Sequence, residues 1–179
     1  PEHVPDVELA LIAFFLENEA DLYRWSRVVM QRHMPGIIAT DSHQNVLSGE
    51  APDGDRVDSF RRMMHWFSNY LLVPAGDVDD EVLQDAIGRG RLYGGFDYLG
   101  YPAGFDFHAT RGDSILEMGD VAELTTDEEV TLHLTLPSVH GLEATAPQPQ
   151  ITGRILRANN GDWTEIVSDR TDISFTVRS

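Results

Sequence analysis

Apolar residues between positions 5 and 31 recur at three- and four-residue spacing. Val7, Leu11, Phe14 and Phe15 form one set, and Leu22, Trp25, Val28 and Val29 a second. The spacing predicts two amphipathic helices, broken near residues 17–19. Pro35 and Gly36 end that region. Residues 36–41 are apolar, β-branched and bounded by turn residues, which predicts a short buried strand running into Ser42-His43-Gln44-Asn45. A polar Gly/Pro/Asp loop follows at 48–55. Val57, Phe60, Met64, Phe67 and Leu71, widened by Met63, Trp66 and Tyr70, then make a stripe that predicts one helix, with a strand over 70–73 overlapping its end. The acids from Asp77 to Glu81 suit the first turn of a further helix, which Gly88 and Gly90 stop.

Beyond Arg91 the period changes from 3.6 to 2 and stays there. Residues 92–98, 104–109, 115–118, 130–136, 151–157, 163–167 and 173–177 are short alternating runs separated by turn residues, as expected of an antiparallel sandwich. The reading is α/β followed by all-β, with an α/β segment over 1–100, a β-sandwich over 101–179 and the boundary near 100–102.

Composition narrows the chemistry. The chain of 179 residues has no cysteine, which closes thiolate metal sites, thiol nucleophiles and disulfide frameworks, so any metal must sit on His, Asp or Glu. Thirty acidic residues against thirteen basic ones, all of them Arg, give a net charge of -17. Such a surface repels phosphate backbones and anionic lipid, which argues against nucleic acid as a partner. The longest apolar stretch, 7–16, is interrupted by Glu8 and is shorter than the ~20 residues of a membrane span. A soluble protein is expected, with cytoplasm and export both open. The first residues lack the pattern of a signal peptide, and the chain opens at Pro1, so the natural amino terminus is expected upstream.

The most informative cluster is Thr40-Asp41-Ser42-His43-Gln44-Asn45. On an extended segment Asp41 and His43 point the same way, about 7 Å apart, a carboxylate and an imidazole suited to one metal or two adjacent ones. These donors suit Zn, Mn or Fe better than Ca. The plain structural alternative has Asp41 capping a turn and His43 bonded to a carbonyl. The other histidines compete less well. His33 suits a helix C-terminus, His65 a helix surface, and His133 a solvent face with Thr131 and Thr135. Asp106 and His108 alternate with inward Phe105 and Phe107, which directs them to solvent or a domain interface. Trp25, Trp66 and the aromatics from Phe60 to Phe67 read as core. Asp53, Asp55 and Asp58 do not complete a calcium loop, and Ser42 makes a poor nucleophile.

The run from Gly36 to Asn45, followed by Asp53-Gly54-Asp55-Arg56 and the segment from Ser59 to Asn69, resembles the closing part of a PHP (polymerase and histidinol phosphatase) metallohydrolase, of the carbaryl-hydrolase-like branch. The resemblance continues through Gly90 to Asp97 and Gly104 to Ala109. It covers most of residues 20–120. It implies the last elements of a distorted (β/α)7 barrel whose strand ends hold two or three divalent metals and hydrolyse phosphate or related esters, followed by an appended β-domain. Asp41 and His43 match the family's final Asp-x-His and would be metal ligands; Gln44, Asn45 and Arg56 would orient ligands or contact substrate. The family's other ligands should lie upstream of residue 1. The chain alone is therefore expected to be inactive, since a catalytic metal takes three or more protein ligands.

Two other readings follow from the same residues. In one, the chain is a non-catalytic binding or interaction module working through the β-half and loops such as 141–150. In the other, a partner polypeptide completes the metal site. The final strand, 173–177, leaves an edge that predicts homodimer formation or pairing with further chain.

Overall fold

The computed structural model describes residues 18–45, 49–159, 162–168 and 172–178; from residue 159 onward the description is of backbone. The first helix expected in 5–17, with His3, lies outside the described residues. The second is α1, Glu19–Val29. Asn18 caps it by accepting a hydrogen bond from the Asp21 amide at 3.2 Å, and Glu19 and Asp21 place negative charge at its positive end. Beyond it the chain folds back. Trp25 Nε1 donates to the Met34 carbonyl at 3.1 Å and its ring covers Gly36, where a Cβ would sit 3.1 Å away. Trp25 is 39% exposed, so it is a surface cover and not the core residue expected.

Residues 36–41 do not form the buried strand expected of them. Ile37 is 64% exposed, and one side chain replaces a ladder: the Ile38 amide donates to Asn69 Oδ1 at 3.0 Å while Asn69 Nδ2 donates to the Ile38 carbonyl at 2.8 Å. A primary amide can present one of its two N–H donors and its carbonyl acceptor at the spacing of a peptide, so it satisfies a single residue of an extended chain without a second strand.

The long helix expected over 57–71 is also corrected. Only α2, Phe60–Met63, is helical, capped by Ser59. Phe60 and Met64 are 46% and 68% exposed, whereas Met63 and Trp66 are buried. The chain then extends into β1, Ser68–Leu71, which pairs antiparallel with β2, Leu92–Gly95. Pairing brings Tyr70 flat against Tyr93, ring centroids 5.1 Å apart. It also lets the Ser68 and Tyr70 hydroxyls donate to Asp97, contacts a continued helix would forfeit. Between the two strands runs α3, Asp80–Arg89. Asp79 caps it by accepting from the Val82 amide at 3.0 Å, and Gly90 ends it at φ +76°.

The β-half matches the period-2 reading closely. After β2 and a 3-10 turn at Asp97–Leu99 come β3 (Tyr101–Ala103), β4 (Asp106–Arg111), β5 (Ser114–Glu117), β6 (Glu129–Thr135), β7 (Ser138–His140), β8 (Gly153–Asn159), β9 (Asp162–Ser168) and β10 (Asp172–Arg178). Each of the seven expected runs holds a strand; β3 and β7, three residues each, are too short to show a period. The order β10-β6-β4-β5 makes the main sheet, with two-stranded pairs β3-β7 and β8-β9. Among the described residues all the ladders are antiparallel.

Alternation sorts the main sheet into two faces. Phe107, Leu132 and Leu134 share one face and meet Ile155 of β8, with Phe105 and Leu136 beside them, so β8 packs against this end of the apolar side. The chain is therefore mixed, with few helices and several antiparallel sheets, strands predominating. Among the described residues no helix is long and apolar enough to cross a membrane.

Candidate functional site

The Asp41 to Asn45 loop is turned, not extended as expected. Asp41 and Gln44 have φ +49° and +51°, left-handed values that cost a non-glycine residue about 1 kcal/mol or more and that Asp tolerates better than most. The turn brings the Asp-x-His pair together: Asp41 Oδ2 stands 3.8 Å from His43 Nε2. The side chains are 96% and 43% exposed, so both donors are open to solvent. Asn45 is exposed and Gln44 half-buried.

Two contacts hold this loop against the segment that follows. The Ser42 hydroxyl reaches Met63 Sδ at 3.6 Å, and Arg56 Nη2 donates to the Gln44 carbonyl at 2.8 Å. Arg56 is itself fixed, its Nε donating to Asp58 Oδ1 at 2.9 Å and its Nη2 ion-paired to the same oxygen at 2.8 Å. Asp58 is 2% exposed. Around it lies a wider network of acids and arginines. Arg62, 1% exposed, donates through Nη2 to both oxygens of Asp53 at 2.9 and 2.7 Å and through Nε to the Arg56 carbonyl at 3.3 Å. Asp55 accepts from the Ser59 hydroxyl at 2.7 Å and from Arg61 at 2.7 and 3.0 Å.

A tight turn supports these side chains from below. The Ala51 amide donates to the Asp55 carbonyl at 2.8 Å, the Gly54 amide donates to Ala51, and Glu50 bridges Arg56. Hydrogen bonds set the acidities. The hydrogen bond from Arg62 holds the Asp53 carboxyl below the usual carboxylate range, and those from Ser59 and then Arg61 do the same for Asp55. The acids expected only to fail as a calcium loop thus act as acceptors for guanidinium groups.

Sequence reasoning missed Asp58, Ser59, Arg61 and Arg62. The available signal was three acids and three arginines within Asp53 to Arg62, a density that a solvated helix face does not need. The structure brings Arg56 to Gln44 and Asp41 to His43. Among the described residues it gathers no group of three or more His, Asp or Glu able to hold a metal. Asp41 and His43 by themselves offer one carboxylate oxygen and one imidazole nitrogen, fewer than the three protein ligands a catalytic metal takes.

The second Asp-x-His lies on the polar face of the main sheet, away from the β8-β9 hairpin. His108 Nδ1 is 2.8 Å from Asp106 Oδ2, and the His108 ring stacks on His133 at 4.8 Å. His133 Nε2 is 2.9 Å from Thr110 Oγ1. His133 is half-buried in these contacts instead of facing open solvent as expected, because its cross-strand neighbour is another imidazole. His33 and His65 are exposed.

A third polar group joins β1 to the turn after β2. Asp97 accepts from Tyr70 at 2.6 Å and from Ser68, and burial followed by that bond raises the Tyr70 hydroxyl above its ordinary value. Beyond β2 a mainly apolar cavity of about 560 Å³ is lined by Tyr93, Phe96, Leu99, Phe105, Val139 and Ile151 among others. No family model, curated protein or solved structure matches the chain.

Proposed function

We propose that this chain is the carboxyl-terminal portion of a PHP-type, metal-dependent hydrolase acting on phosphate or related esters, and that Asp41 and His43 are two of its metal ligands. In this reading residues 1–100 supply the last elements of the distorted (β/α)7 barrel and residues 101–179 the appended sandwich. The observation that carries it is the turned loop: a carboxylate and an imidazole 3.8 Å apart, both solvent-facing, on a backbone with two left-handed residues. Left-handed non-glycine residues persist where the surroundings over-determine them, and such places cluster at functional sites. Arg56 and Ser42 provide that determination.

A bound Zn, Mn or Fe would supply a nucleophilic hydroxide and polarise the ester. The chain's own part is to present two donors at fixed spacing, with Arg56 holding the Gln44 carbonyl and Asn45 exposed beside them. The net charge of -17 favours divalent cations and opposes anionic substrates except where metal charge overrides it. Two ligands do not complete a catalytic site, so the remaining donors come from residues upstream or from a partner chain.

Elemental analysis of the purified chain and of the same chain joined to its upstream coding sequence tests this. The longer protein should carry stoichiometric metal and hydrolyse a phosphate ester, both lost in Asp41→Ala/His43→Ala, while the short chain is inactive. A longer protein that keeps its metal in the double variant would refute the assignment.

The 560 Å³ cavity favours a second reading, a non-catalytic module that takes an uncharged, largely apolar ligand. Saturable binding of an uncharged apolar probe, with the longer protein carrying no metal, would favour this reading over the hydrolase.

A further inference from the structure

We propose that β10 is a self-pairing edge through which two copies of the chain join their main sheets, independently of any metal site. The order β10-β6-β4-β5 places β10 at one end of the sheet, paired on one side only among the described residues. The opposite end, β5, is four residues long, whereas β10 runs for seven. Exposed edges are ordinarily blunted by proline, by a central charge or by a bulge. The β10 sequence, Asp-Ile-Ser-Phe-Thr-Val-Arg, has no proline, no glycine and no charge between its two ends.

The occupant is set by the order of residue types. A second copy laid antiparallel and centred on Phe175 places Asp172 opposite Arg178, Ile173 opposite Val177, Ser174 opposite Thr176, and Phe175 opposite itself. Every position meets its complement: charge against opposite charge twice, apolar against apolar, hydroxyl against hydroxyl. The existing register supports the same sorting. Positions 173, 175 and 177 pair with Leu134, Leu132 and Val130, so by register they belong to the apolar face of the sheet. Positions 174 and 176 pair with His133 and Thr131 on the polar face. Residues directly opposite in an antiparallel pair share a face, so the two-fold extends both faces of the sheet without a break. A parallel copy, or one slipped by a residue, would lose the charge pairs or set apolar positions on the polar face.

Sedimentation equilibrium from micromolar to near-millimolar concentration tests this on the full chain. Wild type should form a reversible dimer. Asp172→Arg and Arg178→Glu should each weaken it about tenfold, since two attractive cross-strand pairs become repulsive. An equimolar mixture of the two variants should recover the wild-type affinity, because in the mixed dimer positions 172 and 178 again carry opposite charges at both ends of the ladder. That recovery also controls for misfolding of either variant. A wild type that stays monomeric throughout would overturn the proposal. Arg178 is also paired in register with Glu129 of its own β6, so circular dichroism must first show that each variant keeps the wild-type strand content. Variants that dimerise as well as wild type, a mixture of such folded variants without recovery, or slow exchange of every β10 amide in the monomer, which would show that the chain covers its own edge, would also overturn it.

Discussion

Replacing Asp58 by alanine removes the buried acceptor that fixes Arg56, and through it the Gln44 carbonyl. Asp58 is 2% exposed, accepts a hydrogen bond from Arg56 Nε at 2.9 Å and forms an ion pair with Arg56 Nη2 at 2.8 Å. Hydrogen bonds to charged groups contribute about 1.5–3 kcal/mol, and breaking a fully buried pair costs about 3–5 kcal/mol. Arg56 is 38% exposed, so water recovers part of the loss. The expected cost is therefore about 2–3 kcal/mol, a fall in Tm of roughly 5–10 °C for a chain of this size. Urea unfolding followed by tryptophan fluorescence measures the first quantity. Amide exchange at residues 41–45 measures the second effect, the release of the left-handed turn, which should quicken at Gln44 before the rest of the chain. Asp58→Asn, which keeps the shape but not the charge, should fall between. Arg61→Ala is the control from the same network. Its guanidinium is more than half exposed, and its loss should leave the unfolding midpoint unchanged. A loss below about 0.5 kcal/mol for Asp58→Ala, within the range of ordinary surface changes, would refute the reasoning. A large loss with unaltered exchange at Gln44 would show that the network stabilises the fold without holding the loop.

Three further outcomes follow. Gly119→Ala should destabilise the chain by several kcal/mol, because at φ +85° an added Cβ would sit 2.0 Å from the Arg89 carbonyl oxygen; Gly112→Ala, at φ +57° in open space, should cost about 1 kcal/mol, and equal thermal shifts would contradict the distinction. Leu134→Ala, in the contact between the main sheet and β8, should cost about 2–5 kcal/mol in denaturant unfolding, and a cost under 1 kcal/mol would mean that the β8-β9 hairpin does not pack there. Acid should weaken the fold in a defined window. Asp53, Asp55 and Glu128 have folded pKa values lowered by their bonds to Arg62, to Ser59 and Arg61, and to the Thr125 amide and Arg111. Their stabilisation is thus complete above the unfolded values near pH 4 and is lost as pH falls through the lower folded ones, so unfolding midpoints that stay flat from about pH 5 to about pH 2 would contradict it.

The legibility of this chain divides with its local physics. Strands β4, β6 and β8 lie where an alternating pattern and a packed apolar face agree, and β9 and β10 carry the same alternation in sequence, so period alone locates them. Helix α3 is readable because Asp79 and Gly90 mark its ends with side-chain and backbone chemistry that depends on little else. The 57–71 segment fails for the opposite reason. Its stripe has helical spacing, but tertiary partners decide the outcome: Tyr70 on Tyr93, Ser68 and Tyr70 on Asp97, and Arg62 buried among acids. The 36–41 segment has strand composition, yet the Asn69 amide occupies the place of a ladder neighbour, which no local window reveals. At the candidate site the donor types are visible in the sequence, but their geometry is not. Two left-handed residues and the Arg56 contact across twelve positions create the approach of Asp41 to His43.

The most direct test of the metal-ligand assignment is a titration with Mn²⁺ followed by NMR of the seven histidine rings. The ring protons of His43 should broaden first and most in the wild-type chain. In Asp41→Ala that selective broadening should vanish, leaving only the weak, uniform effect expected of a strongly acidic surface. Broadening spread equally over the histidines, or persisting at His43 without Asp41, would show that the pair does not act as a site.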